Sequence, residues 1–321
     1  MAVILLYVDD MLVASNDMGK LDEIKNRLSG VFEMKDLGEP KQFLGMAIER
    51  NKEEKYIVMH QTIYTENVLE RFNMKDCKPQ DTPMITRRAS NKTKKNKLED
   101  AKDKTRVREA KKVPYKEAIG SLMYLANATR PDIAFAVNYL ARKQLEPTEE
   151  DWLDVKRVFR YLRGTANRGL VLRGKIIAWR SHKQTYVTLS TCQAEYLAMS
   201  DACQELISLD KSIRHVVGMT FFPITIRCDN QSAGNCTKRD GSHKLKTFDE
   251  SLEEIEKTLR EREISGNRKH MADTHGDFVK QCVDQRKIRV QWIETRENLA
   301  DIMTKLLLLE TFKYLRDKIM N

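Results

Sequence analysis

The sequence predicts an α+β fold, with a hairpin and small strands in its first third, helices in the middle, and helix alternating with strand towards the end. Three observations predict it. Apolar runs of strand-like composition separated by polar turns occupy residues 1–61, apolar residues recur at helical spacing after residue 113, and two short buried strands follow a long amphipathic pattern beyond Ser190. The 321 residues can hold two or three modest domains, and a hydrophobic content of 41% is enough for their cores. Lys plus Arg total 57 against 47 Asp plus Glu, a formal charge of +10, which suits a polyanionic partner such as nucleic acid. The opening apolar run is too short to span a bilayer and lacks a basic leader, so neither a signal peptide nor a membrane anchor is expected. Six scattered cysteines without CxxC spacing point to reduced thiols in a cytosolic or nuclear setting. His270 and His275 stand five apart, off the spacing that aligns two ligands on a helix face, so no zinc site is expected.

The first stretch, MAVILLYVDDMLVAS, reads as two apolar arms meeting at Asp9 and Asp10, a tight β-hairpin with both carboxylates at its tip. Adjacent like charges cost free energy unless cations or hydrogen bonds offset them, so the pair is a plausible seat for magnesium. A polar turn between buried strands is the simpler alternative for those residues alone. Next, Leu21, Ile24, Leu28, Val31 and Phe32 fall at the spacing of an amphipathic helix covering a sheet. Gln42–Arg50 and Tyr56–Gln61 read as strands, and Ile63, Leu69 and Phe72 as the core side of a helix ending near Asn73. Residues 87–112 are rich in Lys and Arg with almost nothing apolar between them, the composition of a solvated linker and a domain boundary.

Thr129 as N-cap, with Pro131 in the first turn, should start a helix with Ile133, Val137, Leu140 and Ala141 on its apolar face. Thr148 and Asp151 form a capping-box pattern for a helix with Trp152, Val155, Phe159 and Leu162 inward and Gly164 at its end. Lys156, Arg160 and Arg163 line another face of it, either solvated or turned towards nucleic acid. After a short strand at Ile176–Arg180, Ser190 and Gln193 cap a helix with Leu197, Leu206, Leu209, Ile213 and Val216 as its stripe and Gly218 as its stop. Glu195 lies in its first turns. The strand Ile224–Cys228 delivers Asp229, and the strand Ile288–Ile293 precedes a helix start carrying Asp301.

Tyr7-Val8-Asp9-Asp10 in its strand-turn-strand context resembles the catalytic hairpin of reverse transcriptases. The wordings FEMKDLGEPKQFLGMAIER, SLMYLANATRPDIAFAVNYLAR, LSTCQAEYLAMSDA, CDNQSA and ENLADIMTK resemble, in this order, the Pol polyproteins of copia-type LTR retrotransposons. The resemblance implies the C-terminal palm and thumb of a reverse transcriptase at 1–86 and a basic linker at 87–112. It implies a helical connection at 113–174, a partial ribonuclease H-like α/β domain at 175–306 with an insertion at 238–266, and a C-terminal helix at 307–321. It also implies two-magnesium phosphoryl transfer, with Asp9 and Asp10 as ligands in one site and Glu195, Asp229 and Asp301 as three of four in the other. The implied partners are RNA template, DNA primer and RNA/DNA hybrid, with Lys156, Arg160 and Arg163 facing nucleic acid and no membrane involved. Virus-like particles in the cytoplasm, or the nucleus, are the implied locations.

Two departures from the family temper this. The strand that brings a shared Asp before the hairpin does not precede Asp9 in this sequence, and around Lys175 the strands carrying the leading ribonuclease H Asp are not present. The expectation is therefore a Pol fragment without independent catalysis. A retained non-catalytic nucleic-acid-binding protein, or a chain completed by a full-length Pol subunit, are the other readings. TKLLLLE replaces the family's Thr-Lys-Pro-Leu, so the last helix is expected to run on towards Tyr314 and Leu315.

Overall fold

The computed structural model describes residues 1–85, 113–172, 178–184, 188, 190–237 and 278–321. They form two compact units. One comprises Ile4–Val13, Leu21–Gln184 and Leu299–Asn321, the other Met1–Val3, Ala14–Lys20 and Thr185–Asn298. Helix and strand are mixed throughout, as an α+β fold requires.

Strands β1 (Ala2–Tyr7) and β2 (Asp10–Ser15) form the opening hairpin. Val8 and Asp9 make the turn, and Asp10 is already the first residue of β2, so only one of the two acids occupies the tip. Val8 sits at φ 51°, a left-handed conformation that a β-branched side chain resists. Ile4, Leu5, Leu6 and Tyr7 are all exposed, which removes the alternative of a polar turn between buried strands. Helix α1 (Met18–Ser29) forms as expected but buries none of its residues, and Val31 and Phe32 lie beyond its end in solvent. Leu21, Ile24 and Leu28 are only half-buried, short of the burial expected of a helix covering a sheet.

The strand expected over Gln42–Arg50 is divided. Leu44 and Gly45 both adopt positive φ, 50° and 75°, the requirement of a two-residue primed turn, and they separate β3 (Gln42–Phe43) from β4 (Met46–Asn51). The Tyr124 hydroxyl donates to the Leu44 carbonyl at 3.0 Å and fixes this turn. Strand β5 (Tyr56–His60) pairs with β4 on one side and with a distant β6 (Leu170–Leu172) on the other. Helix α2 (Thr62–Arg71) then buries Thr65, Val68 and Leu69, the i, i+3, i+4 face. Ile63 is off that face and 72% exposed, contrary to its assignment to the core side.

Helices α3 (Tyr115–Ala128), α4 (Ala134–Ala141) and α5 (Glu149–Gly164) pack into the core with α2, in contact through Leu122, Val137, Val155 and Phe159. The shared sheet and core show that the chain on either side of residues 86–112 is one compact unit, and the division falls near Gln184 instead. The basic run itself lies outside the described residues. Thr129 is the C-cap of α3 rather than an N-cap, and its hydroxyl donates to Gln61 Oε1 at 2.9 Å. Pro131–Ile133 form a 3-10 turn leading into α4. The capping box of α5 is complete: the Asp151 amide donates to Thr148 Oγ1 at 3.2 Å and the Thr148 amide to Asp151 Oδ2 at 3.0 Å.

Beneath α4 and α5 lies a buried ionic cluster. Arg130, 1% exposed, donates from Nε and an Nη to the two oxygens of Asp132 at 3.0 and 2.9 Å, and from its guanidinium to the Thr165 carbonyl and hydroxyl. The Tyr161 hydroxyl donates to Asp132 Oδ2 at 2.5 Å. Every charge in it is paired, which is what burial of charge demands.

Residues Ala178–Arg180 form no strand, the rest of the expected Ile176–Arg180 strand being outside the described residues. Trp179 instead packs on the core and donates to the Ala126 carbonyl at 2.8 Å. In the other unit, α6 (Thr191–Val217) is capped by Ser190 Oγ and stopped by Gly218 at φ 74°. Its buried residues are Tyr196, Met199, Ser200, Cys203 and Asp210, not the Leu197, Leu206, Leu209, Ile213 and Val216 stripe. The face that packs with the strands carries Tyr196, Met199 and Cys203, clustered with Cys228 and Ile288. Strands β7 (Ile224–Cys228) and β8 (Ile288–Trp292) pair in parallel, Ile224 opposite Ile288 and Cys228 opposite Trp292. Between them α7 (Gln231–Cys236) is capped by Asn230. The insertion at 238–266 lies outside the described residues.

Helix α8 (Asp301–Thr304) ends at Lys305, and α9 (Leu309–Ile319) starts afresh, so the expected continuous helix is broken. Geometry explains the break. At 100° per residue a single helix would turn Ile302 and Met303 away from Phe312, Leu315 and Ile319, yet all five are buried in one core.

Candidate metal sites at the hairpin and the end of a parallel strand

Asp9 and Asp10 are consecutive and both exposed, carried by a hairpin whose turn needs the strained Val8. A sparsely populated backbone conformation of this kind costs of order 1–3 kcal/mol and persists only where surroundings hold it. Among the described residues no third His, Cys, Asp or Glu joins the pair as a ligand set.

The second site is built by three elements. Glu195 is in the first turns of α6, positioned by the Ser190 cap whose Oγ accepts the Gln193 amide at 3.2 Å. Cys228 ends β7 with 5% of its surface exposed, and its thiol donates to the Asn230 carbonyl at 3.7 Å. Asp229 stands at a bend just past the strand, its carbonyl accepting from Trp292 Nε1 at 3.3 Å. Side chains alternate along a strand, but the bend releases Asp229 from that alternation, so neighbours in sequence face one place. The ligand atoms of Glu195, Cys228 and Asp229 all lie within 4.8 Å of one another. Two carboxylates at that separation fit a divalent cation, which offsets their repulsion.

Asp301 belongs to the other unit, where it is 4% exposed and pairs with Lys305 Nζ at 2.9 Å. The structure brings Glu195 and Asp229 together within their unit, and within its own unit Asp301 starts a helix packed beside α4. Sequence reasoning passed over Cys228, although its place as the last strand residue before Asp229 was visible. It also gave Arg130 and Asp132 no role, although they form the buried cluster.

The basic stripe is engaged within the chain. Arg160 Nε donates to the Lys78 carbonyl at 2.7 Å and Arg163 Nε to the Lys75 carbonyl at 2.5 Å. Arg157, not singled out from the sequence, donates to Gln80 Oε1 and Thr82 Oγ1, both at 2.9 Å. Lys156 lies 5.8 Å from the Trp152 ring centre. Together these arginines hold the segment after α2 against α5.

Residues 1–86 match the family described as "Reverse transcriptase (RNA-dependent DNA polymerase)". The chain is 34% identical over 338 residues to the Retrovirus-related Pol polyprotein from transposon TNT 1-94 of Nicotiana tabacum, covering 94% of this chain and 23% of that one. It is 30% identical over 349 residues to the corresponding polyprotein from transposon RE1 of Arabidopsis thaliana, covering 98% and 21%. For the RE2 polyprotein of the same plant the figures are 29% over 335 residues, covering 94% and 20%. The chain therefore spans less than a quarter of the length of these relatives. No solved structure matches it.

Proposed function

The chain belongs to the copia-type retrotransposon Pol polyproteins, and from that premise we propose that it serves as their reverse-transcriptase and ribonuclease H portion, in phosphoryl transfer on RNA and DNA. In this reading β1 to α2 correspond to palm and thumb, α3 to α5 to the connection, and α6 to β8 to the ribonuclease H-like part. Magnesium bound at each acidic site would neutralise phosphate charge and lower the pKa of a coordinated water. The chain's own contribution is placement: the hairpin holds Asp9 and Asp10 at its exposed end, and α6 and β7 bring Glu195 to Asp229. The observation that carries the proposal is that convergence of Glu195 and Asp229 from separate elements, in a chain whose first residues match the polymerase family.

Around Lys175 the sequence has no Asp where the family carries its leading ribonuclease H ligand. Fewer bridging oxygens mean weaker cation binding and poorer positioning of the reacting phosphate, so the chain alone is proposed to turn over little or nothing. RNA template, DNA primer and RNA/DNA hybrid are the proposed partners, supported by the formal charge of +10. The test is magnesium-dependent primer extension on RNA and cleavage of an RNA/DNA hybrid, by the chain alone and mixed with a full-length Pol subunit. Activity should be absent or weak alone and rise on mixing. Robust activity of the chain alone, abolished by Asp9→Asn and Glu195→Gln, would overturn the proposed dependence.

A further inference from the structure

We infer that Cys203 and Cys282 form a redox latch, a disulfide that closes on mild oxidation and pins α6 to the helical turns leading into β8. Two features carry it. Both thiols lie in one apolar core, Cys203 fully buried and Cys282 2% exposed, on elements far apart in sequence. They also touch, the Cys203 thiol donating a hydrogen bond to the Cys282 sulfur. Each is held from its own side. Cys203 follows Tyr196, Met199 and Ser200 on the buried face of α6. Cys282 belongs to helical residues 278–284, and the Lys287 amide donates to its carbonyl at 2.9 Å, one residue before β8 begins. Sulfurs in hydrogen-bond contact need to approach by only about 1.5–2 Å to reach the S–S length of about 2.05 Å, a movement that side-chain rotation supplies. Cys228 shares the core, but its thiol is turned to the Asn230 carbonyl at 3.7 Å.

The oxidant is a peroxide, and the chemistry balances in two steps. The Cys282 sulfur attacks one peroxide oxygen, the O–O bond breaks, and the departing hydroxide takes the thiol proton and leaves as water, giving a sulfenic acid. The Cys203 sulfur then attacks the Cys282 sulfur, the S–O bond breaks, and a second water leaves with the Cys203 proton. Each sulfur gives up one electron and the peroxide takes both. Burial pushes the Cys203 thiol up to about 12 and raises Cys282 as well, with Lys287 and the donated hydrogen bond easing the rise at Cys282. Cys282 is therefore the first to react, and it does so when local opening admits the oxidant. The finished bond closes a loop of roughly 80 residues and removes conformational entropy from the unfolded chain. Glu195 lies on the helix so pinned, and Asp229 lies inside the loop.

The experiment uses the full chain, reduced and metal-free, treated with a small excess of hydrogen peroxide, blocked with N-ethylmaleimide, digested and mapped by mass spectrometry. The Cys203 and Cys282 peptides should appear linked in the folded chain, and faster in urea below the unfolding midpoint, where opening is more frequent. In fully unfolding urea that preference should vanish among the six cysteines. The thermal midpoint of the oxidised chain, followed by circular dichroism, should rise by about 5–15 °C and return on adding dithiothreitol. Cys203→Ala and Cys282→Ala, checked for folding before oxidation, should each abolish the link and the rise, and Cys236→Ala should keep both. Cys203 and Cys282 recovered unlinked, or linked elsewhere, both without urea and below the midpoint would overturn the pairing. A link that forms without raising the midpoint, or the same preference in the unfolded chain, would overturn the latch.

Discussion

Replacing Asp132 by Ala should be among the most damaging single changes in the chain. The substitution leaves Arg130, 1% exposed, buried without its carboxylate, and takes the acceptor from Tyr161. Arg130 keeps its bonds to Thr165 but loses two charge-assisted ones, at 3.0 and 2.9 Å. At about 1.5–3 kcal/mol each, those two bonds put the cost at about 3–6 kcal/mol. Broken buried ion pairs cost about 3–5 kcal/mol, so the two routes agree. Against a typical net stability of about 5–15 kcal/mol this is a large fraction of the whole. Urea denaturation followed by circular dichroism measures it, with Glu70→Ala as the control, because its pair with Lys75 is exposed and worth at most about 1 kcal/mol. The pH dependence has a definite sign. Burial opposes the Asp132 charge, but the Arg130 guanidinium outweighs it and holds the carboxyl below the usual carboxylate range. A group whose folded pKa is depressed contributes stability above its unfolded pKa, so this contribution is full at neutral pH and fades as pH falls through the folded value. In Asp132→Ala that acid-side loss should shrink. A cost under about 1 kcal/mol, or an unchanged acid limb, would refute the assignment of this cluster as a paired, charged keystone of the α4–α5 packing.

Other consequences are open to simple measurement. Val8→Gly removes the side chain that resists φ 51° at the hairpin turn and should raise hairpin stability by about 1 kcal/mol, read as slower amide exchange in β1 and β2. Gly45→Ala puts a Cβ 3.2 Å from Tyr124 Oη at φ 75° and should lower stability by about 1–2 kcal/mol in urea, with little effect if the turn instead flips type. Arg157→Ala strips Gln80 and Thr82 of their guanidinium donors and should speed limited proteolysis between residues 75 and 82 at a stability cost of about 1–2 kcal/mol. Cleavage elsewhere would refute the clamp.

What was legible in the sequence was local. The hairpin, the Thr148–Asp151 capping box, the Gly218 stop and the strand carrying Asp229 each follow from residues a few positions apart, and each is found. What was not legible depended on distant partners. Pairing of Val58 with Val171 makes one unit of the chain on either side of the basic run, and no local pattern announces it. The buried face of α6 runs through Ser200, Cys203 and Asp210, where a Leu-rich stripe one step round the helix looked the better core. Asp301 lies in the α8 start that the wording promised, but core packing of Ile302 and Met303 carries it into the other unit, against Lys305. Of the second candidate site, the sequence held Glu195 and Asp229 and the structure added Cys228.

Glu195 and Asp229 are proposed to act as one cation site, and manganese binding to the folded chain tests this most directly. Glu195→Gln and Asp229→Asn should each weaken the same binding event by about tenfold or more, with the double variant losing much less than the sum, as ligands of one ion do. Independent, fully additive effects, or affinity unchanged in either variant, would contradict it.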